Sequence, residues 1–567
     1  MLKTSNDQRK LLPNFEHLFA TTAQAPGGVA RLRELILTLA VQGKLVPQDP
    51  SDEPASELLK KIRAEKERLI AEGKIKKDKP LAAITEEEKP FELPEGWEVC
   101  RLGDIFLSIK SGGTPSKNNP SYWDGEIPWA SVKDLKFGEP IKDTQDKITA
   151  EGLEAGSQLA VAGSILICTR MGLGKIGEAL VDVAINQDLK AVQLGSAINK
   201  NYFVNFFKTL SLTGSGMTVA GIKQDELLSL LLPLPPEKEQ SRIVARVEEL
   251  MRLCDALEEK GRLEHSQHQQ LLQAMLDSLT QTTDARELAR HWQRLAQHFD
   301  LLIDRPEAVD ALEQTILQLA VRGLLVPQEP CDEPASELLK KIRAEKDRLI
   351  AEGKIKKDKP LPVIGDGEIP FELPMGWEWA RLGTLANFID YRGKTPEKTA
   401  LGIPLITAKN VRKGYINREP REFIAESAYD GWMTRGFPKI GDLLFTTEAP
   451  LGNVAVIDIE EKFALAQRVI CFSIFDRSMS GLLLNSLQSP WFQGVLESQA
   501  SGVTAQGIKS SRLQQLLIPI PPLAEQSRIV ARVTELRALC QQLREKLTQA
   551  RTTQTQLAQS WVAQVAA

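Results

Sequence analysis

Few groups in this chain have the types and spacing that do chemistry. Gly172-Leu173-Gly174-Lys175-Ile176-Gly177 has the GxGxxG spacing that lets a backbone turn approach a pyrophosphate, and it follows an apolar, strand-like run. Its sequel, GEALVDVAINQD (Gly177 to Asp188), alternates like a strand instead of opening a helix. The turn is therefore expected to approach DNA or another backbone, not a dinucleotide. His265 and His268 share a helix face at i, i+3, but no third metal ligand is evident, so they read as solvated. The six Cys (100, 168, 254, 331, 471 and 540) form no CxxC pair, which fits a reduced chain without a disulfide framework or zinc site. No Walker A sequence and no nuclease pattern occurs. What remains is two loops of hydroxyl, glycine and cation. One holds Lys110, Gly112, Gly113, Thr114, Pro115 and Lys117; the other holds Arg392, Gly393, Lys394, Thr395 and Pro396. Backbone N–H groups, hydroxyls and Lys/Arg are the usual phosphate ligands.

Asn119-Pro120-Ser121-Tyr122 departs from the Asn-Pro-Pro-Tyr motif of amino-methyltransferases at its third position. No glycine-rich cofactor motif precedes it, so it reads as a turn. An enzyme is disfavoured, and no cofactor is expected on this chain. Net charge is −4, from 71 Lys+Arg and 75 Asp+Glu, which excludes coating nucleic acid by bulk charge but not reading DNA through local patches. Trp97 to Pro236 carries 13 cations against 15 acids, and Trp377 to Pro522 carries 16 against 14. Binding by this chain alone should therefore be modest. The 567 residues suggest three or four domains. No secretory signal and no apolar run long enough for a membrane span is visible, so a cytoplasmic protein is expected.

The elements that must position the loops are duplicated. Leu39 to Leu81 matches Leu319 to Leu361 at all but five of 43 positions. A second block repeats as Gly214 to Pro236 and Ala500 to Pro522, and each copy runs into EQSRIVARV. Between these matched ends the contents differ. Two similar frames thus hold two different modules, plausibly related by a pseudo-twofold. Leu32, Leu35, Ile36, Leu39 and Ala40 predict a helix with Gly43 at its end, and Pro54 opens another over Ala55 to Glu72. SILICTRM (Ser164 to Met171), AVQL (Ala191 to Leu194), DLLFTTEA (Asp442 to Ala449) and VAVIDI (Val454 to Ile459) read as strands. Asn201 to Leu210 and Leu482 to Leu496 read as helices. Ile243, Val247, Leu250, Cys254 and Leu257 have the 4-3-4-3 spacing of a coiled coil, and Leu271 and Met275 return to it after an interruption. The second copy gives Ile529, Val533, Leu536, Cys540, Leu543 and Leu547, with Leu557 and Trp561 beyond. The simplest pairing is one copy against the other, in an antiparallel coiled coil; a three-helix or intermolecular bundle stays open.

The arrangement resembles the specificity subunit of type I restriction-modification systems. The residues that carry the resemblance are LPEGWEVCRLGD (Leu93 to Asp104) with its copy LPMGWEWARLGT, SGGTPS (Ser111 to Ser116), and PLPPEKEQSRIVARVEEL (Pro233 to Leu250) with its copy ending at Leu536. It implies an α/β chain of five parts. These are an N-terminal helical region (1–90), a first target recognition domain (91–236), a central helical region (237–370), a second recognition domain (371–522) and a C-terminal coiled-coil helix (523–567). Each recognition domain would read one half of a bipartite double-stranded DNA target. The helices would set the spacing and dock two modification (methyltransferase) subunits, with restriction/translocase subunits added. S-adenosylmethionine, ATP and Mg would belong to those partners. By the same likeness both loops would face DNA, and so would Thr169, Arg170 and Lys175, matched by Thr447, Glu448 and Asn453. Gln187 pairs with Gln467 and Lys223 with Lys509. The rival readings are a helical scaffold with no DNA role and a stand-alone DNA-modifying enzyme.

Overall fold

A computed structural model describes residues 19, 22–77, 79–212, 221–282, 285–357, 359–391, 395–502 and 506–566. The chain divides into two compact units, Met1–Glu264 with Arg551–Ala567, and His265–Ala550. Each unit therefore takes the start of one long helix and the end of the other. The long helices are Glu237–Gln281 and Leu523–Ala566.

In the first unit the helix Gly28–Val41 buries Leu32, Leu35, Ile36, Leu39 and Ala40. Ile243, Val247, Leu250 and Cys254 of the first long helix join Leu32, Ile36 and Ala40 in one core. The rim is polar: the Arg33 guanidinium donates to Asp255 at 2.6 Å and Glu258 at 3.0 Å. The end of the last helix touches the same short helix, where Arg31 donates to the Thr555 carbonyl at 3.1 Å. The second unit repeats this with Pro306–Val321. Val309, Leu312 and Ile316 share a core with Ile529, Val533 and Cys540, and with Leu272, Leu276 and Leu279 from the end of the first long helix. Arg544 reaches Asp310 at 2.9 Å and Arg322 donates to the Thr280 carbonyl at 2.6 Å. The heptad seam thus packs on a third helix in each unit, the three-helix alternative left open by the sequence.

One expectation about the seam is corrected. Leu271 is 56% exposed, while Leu272 and Leu276 are buried. In the last helix Leu557 is exposed and Ala558 is buried. Eighteen residues are five turns of an α-helix, so Leu272 repeats the face of Cys254 and Ala558 that of Cys540. The 3.5-residue period of a coiled coil does not extend this far.

Each module holds an antiparallel four-stranded sheet. In the first the order is Phe106–Ser111, Leu189–Leu194, Ile165–Cys168, Ile176–Glu178. In the second it is Ala386–Asp390, Val469–Ile474, Leu443–Thr447, Leu451–Val456. A smaller mixed sheet accompanies each: Asp146–Ile148, Trp123–Ala130, Val183–Ile185 and Gln158–Ala160 in the first, and Phe423–Ile424, Ile403–Ile406 and Ala464–Leu465 in the second. Residues 201–210 give the helix Lys200–Phe207. Residues 482–496 give two helices, because Pro490 starts a new one, Pro490–Gln499, after Ser480–Gln488. The glycine-rich turn at 172–177 leads into the strand Ile176–Glu178, as its alternation requires.

The duplicated sequence blocks are each other's partners. Trp97 Nε1 donates to Glu239 Oε2 at 3.1 Å, and Gln48 Nε2 donates to Glu239 Oε1 at 3.2 Å. Trp377 and Gln328 do the same to Glu525, at 3.0 and 3.1 Å. Arg242 holds Asp52 at 2.6 Å, and Arg528 holds Asp332 at 2.6 Å. Asp52 is buried in this pair, and Pro54 stands at the N-cap of Ala55–Ala71 without a side-chain bond. Glu239 and Glu525 are each 1% exposed, and burial pushes both carboxyls above the usual range against the pull of their donors. Gly43 closes the hub at φ 69°, where a Cβ would strike Pro94 at 2.4 Å. Arg101 ties the linker down by donating to the carbonyls of Ala82 and Ser229, each at 2.8 Å, and to Glu88. Arg381 repeats this with Pro362, Gln515 and Glu368.

Candidate nucleic-acid interface

The loops gather where the strands of each four-stranded sheet end. In the first module the Gly113 amide donates to the Ile185 carbonyl at 2.9 Å, and the Gly112 amide to Leu189 at 3.3 Å. A Cβ at Gly112 would lie 2.0 Å from the Asn186 carbonyl oxygen, and one at Gly113 2.0 Å from that of Gly156. Both glycines are required by close packing of backbone on backbone. Their donors are spent there, which corrects the expectation that these amides face phosphate. Two indoles hold the loop from below: Trp129 Nε1 donates to the Gly113 carbonyl at 3.3 Å and Trp123 Nε1 to that of Ser116 at 3.2 Å. Their rings meet edge to face at 5.1 Å. This fixes the outward groups. The Thr114 hydroxyl donates to Gln187 Oε1, and the Lys190 ammonium to Ser111 Oγ. Thr114, Gln187, Ser111 and Lys190 thus form one patch, with Lys117 exposed beside it.

Lys110 lies on the same strand but is held at the Leu159 carbonyl, 3.1 Å away. Lys175 turns inward and donates to the Val132 carbonyl at 3.0 Å, so it leaves the face. Thr169 is also corrected. It is 2% exposed, and its amide and hydroxyl both donate to the Asp188 carbonyl, at 2.8 and 3.3 Å. Its neighbour Arg170 remains on the surface, half exposed, with Nε 3.8 Å from Asp188 Oδ1. Lys223 is exposed and precedes the short helix Gln224–Ser229.

The second module reproduces the scaffold with different groups. Thr447 is 2% exposed and donates amide and hydroxyl to the Arg468 carbonyl, at 3.0 and 3.4 Å. The Ile508 amide returns to the Thr447 carbonyl at 3.1 Å, as Ile222 returns to Thr169 at 3.0 Å. Glu448 bridges to Gly507 as Arg170 bridges to Gly221. These bonds make the two sites equivalent position by position. Asn453 is corrected: it is 8% exposed, and its amide donates to the Val411 carbonyl at 2.9 Å. Thr395 and Lys509 are exposed and Gln467 is half-buried. Arg392 and Lys394 lie outside the described residues. Tyr391, at the end of the strand Ala386–Asp390, bonds a different segment of this module. Its hydroxyl accepts from the Arg435 amide at 2.8 Å and donates to the Gly436 carbonyl at 3.1 Å, and its ring stacks on Trp432.

Sequence reasoning missed Asp188 and Arg468. At equivalent places the first module pairs Arg170 with Asp188, and the second pairs Glu448 with Arg468, Nη2 to Oε1 at 3.3 Å. The ion pair is present twice with its charges exchanged. The signal was available, because Asp188 and Arg468 directly follow the aligned Gln187 and Gln467. Among the described residues, no cluster of His, Cys, Asp and Glu could hold a metal ion. No helix among them is long and apolar enough to cross a membrane.

The family model described as type I restriction modification DNA specificity domain matches residues 94–265 and 374–550. The EcoAI specificity subunit of Escherichia coli is 39% identical over 94% of this chain and 92% of its own length. The EcoEI specificity subunit of Escherichia coli is 37% identical over 94% and 93%. A crystal structure of the HsdS subunit from Thermoanaerobacter tengcongensis is 20% identical and aligns with 84% of this chain and 98% of its own, at a TM-score of 0.39.

Proposed function

The chain belongs to the specificity subunits of type I restriction-modification systems, and from that premise we propose how its parts divide the work. It has two target recognition domains. Each reads one half of a bipartite double-stranded DNA sequence with the face built around residues 111–117, 169–170 and 186–190, or its counterpart around 395, 447–448 and 467–468. The helices between and after the modules set the gap between the half-sites and dock two modification subunits. Restriction/translocase subunits join that complex. S-adenosylmethionine, ATP and Mg are held by the partners, and this chain contributes recognition without catalysis.

The observation that carries this reading is the pairing of matched scaffolds with unmatched faces. The Thr169–Asp188 and Thr447–Arg468 bonds are the same, while the side chains around them differ. Phosphate contacts position a protein on DNA, and side chains at base edges carry its direct sequence readout. A chain built to read two different half-sites needs this combination.

The test replaces Trp97 to Pro236 with a different module and maps methylated sites in cells that carry the modification subunit. One half of the target should change, and the other should stay as it was. Alteration of both halves would refute independent reading. Label transfer from S-adenosylmethionine to DNA by the purified chain alone would refute the non-catalytic assignment.

A further inference from the structure

The exchanged ion pair does more than mark equivalent positions. Arg170 and Arg468 have side chains 50% and 47% exposed. Each guanidinium lies near one carboxylate, but neither makes a hydrogen bond among the described residues. At 3.8 Å the Arg170 contact is an ion pair only, and the 3.3 Å contact of Arg468 is loose. The donor fork of each is therefore oriented yet unspent. Asp188 is held more firmly, with a 12% exposed side chain whose second oxygen accepts from Asn186 Nδ2 at 3.2 Å. Glu448 has a 38% exposed side chain, and its backbone bridges to Gly507 as that of Arg170 bridges to Gly221. In both modules the pair lies beside the aligned glutamine, Gln187 or Gln467, at the end of the strands.

We propose that Arg170 and Arg468 are specificity-determining residues, each reading a guanine in the half-site of its own module, and that Asp188 and Glu448 are positioning residues that aim them. This rests on the functional reading above and deepens it. A free guanidinium fork is the bidentate partner of guanine O6 and N7 in the major groove. A lysine supplies the charge but not the fork. The exchange of positions also has a consequence. In the first module the cation leaves the turn after Ile165–Cys168, and in the second it leaves the residue before Val469–Ile474. The two modules therefore present the guanine-reading group from opposite sides of the same backbone ladder. This lets one scaffold address different sequences without rebuilding its core.

The experiment maps methylated sites for the complex with its modification subunit, comparing the parent chain with R468A, R468K, R170A and R170K. Thermal melting of each chain accompanies the maps. R468A and R468K should both relax one G·C position in the half-site of the second module, lowering discrimination there about tenfold to a hundredfold, and leave the first half-site intact. R170A and R170K should do the same in the other half. Retention of every base by R468A and R468K would overturn the proposal. So would full rescue by R468K of a defect seen in R468A, because a charge without a fork would then suffice. A lowered melting temperature in R468K would also count against it, since it would make the arginine a structural group. If the parent complex methylated no bipartite site at all, the functional reading would fail, and that result is distinct from all of these.

Discussion

Four arginines at two kinds of place show how this chain separates what it keeps from what it varies. Arg101 and Arg381 are nearly buried, with side chains 8% and 5% exposed, and their donors are distributed over backbone carbonyls and a glutamate. Arg170 and Arg468 are half exposed, and each guanidinium has one loose carboxylate contact. The first two occupy matched sequence motifs 280 residues apart, and the second two occupy exchanged positions. In the repeated frame the partners of each side chain are the same in both halves. Within the modules the side chains differ on a shared backbone ladder. The same contrast separates Trp97 and Trp377, which hold a buried glutamate identically, from the Trp123–Trp129 and Tyr391–Trp432 pairs, which support different loops.

The comparison is broken most severely at the hub. Trp97→Ala removes a buried indole and leaves Glu239 without its strongest neutral donor, and such a truncation costs about 3–5 kcal/mol. The first unit should melt early while the second keeps its transition. Differential scanning calorimetry separates the two, and equal loss in both transitions would show that the hub serves the whole chain instead.

A smaller effect sharpens the arginine contrast directly. Arg101→Lys retains charge but cannot reach the Ala82 and Ser229 carbonyls and Glu88 together. It should cost about 1.5–3 kcal/mol, by loss of hydrogen bonds to a charged group. Arg170→Lys, by contrast, should stay within about 0.5 kcal/mol of the parent chain, as exposed substitutions do. Chemical denaturation reads both. Similar losses at the two positions would erase the distinction between the buried and the exposed arginines.

Much of this was legible in the sequence because repetition is itself a structural signal. The helices, the strands at 165–168 and 443–447, and the doubled frame follow from periodicity and self-match. The hub did not follow, although every one of its residues lies in a repeated block. Trp97, Gln48 and Glu239 are far apart in the chain, and no local period links a tryptophan to a glutamate 142 residues away. The face was half legible. Loop composition pointed to Thr114 and Lys117, and the family resemblance to Arg170 and Gln187, all of which the structure leaves outside. The resemblance also implied Thr169, Lys175 and Asn453, whose side chains turn to backbone carbonyls. Residue type alone does not distinguish a hydroxyl that meets a ligand from one that closes a strand.

The smallest expected effect concerns the charge at the hub. Burial raises the Glu239 carboxyl above its unfolded range, so the folded chain binds its proton at a higher pH than the unfolded chain does. The stability that this proton confers is fully present below the unfolded value and is lost as pH rises through the raised folded value. Glu88 and Glu368 run the other way. Hydrogen bonds from the Thr85 amide and Arg101 lower the first, and those from Arg381 and the Gly365 amide lower the second. Their contribution is present at neutral pH and is lost on acidification. The two trends oppose each other in the parent chain, so its overall pH profile does not isolate the hub. Glu239→Gln does, because it removes one titrating group and leaves the others in place. Between pH about 7.5 and about 5, the Tm of the parent chain should rise relative to that of E239Q, since only the parent gains a proton at the hub. A gap that stayed constant or moved the other way would mean that the buried carboxylate keeps its ordinary affinity for protons, and that Trp97, Gln48 and Arg242 fully offset its loss of water.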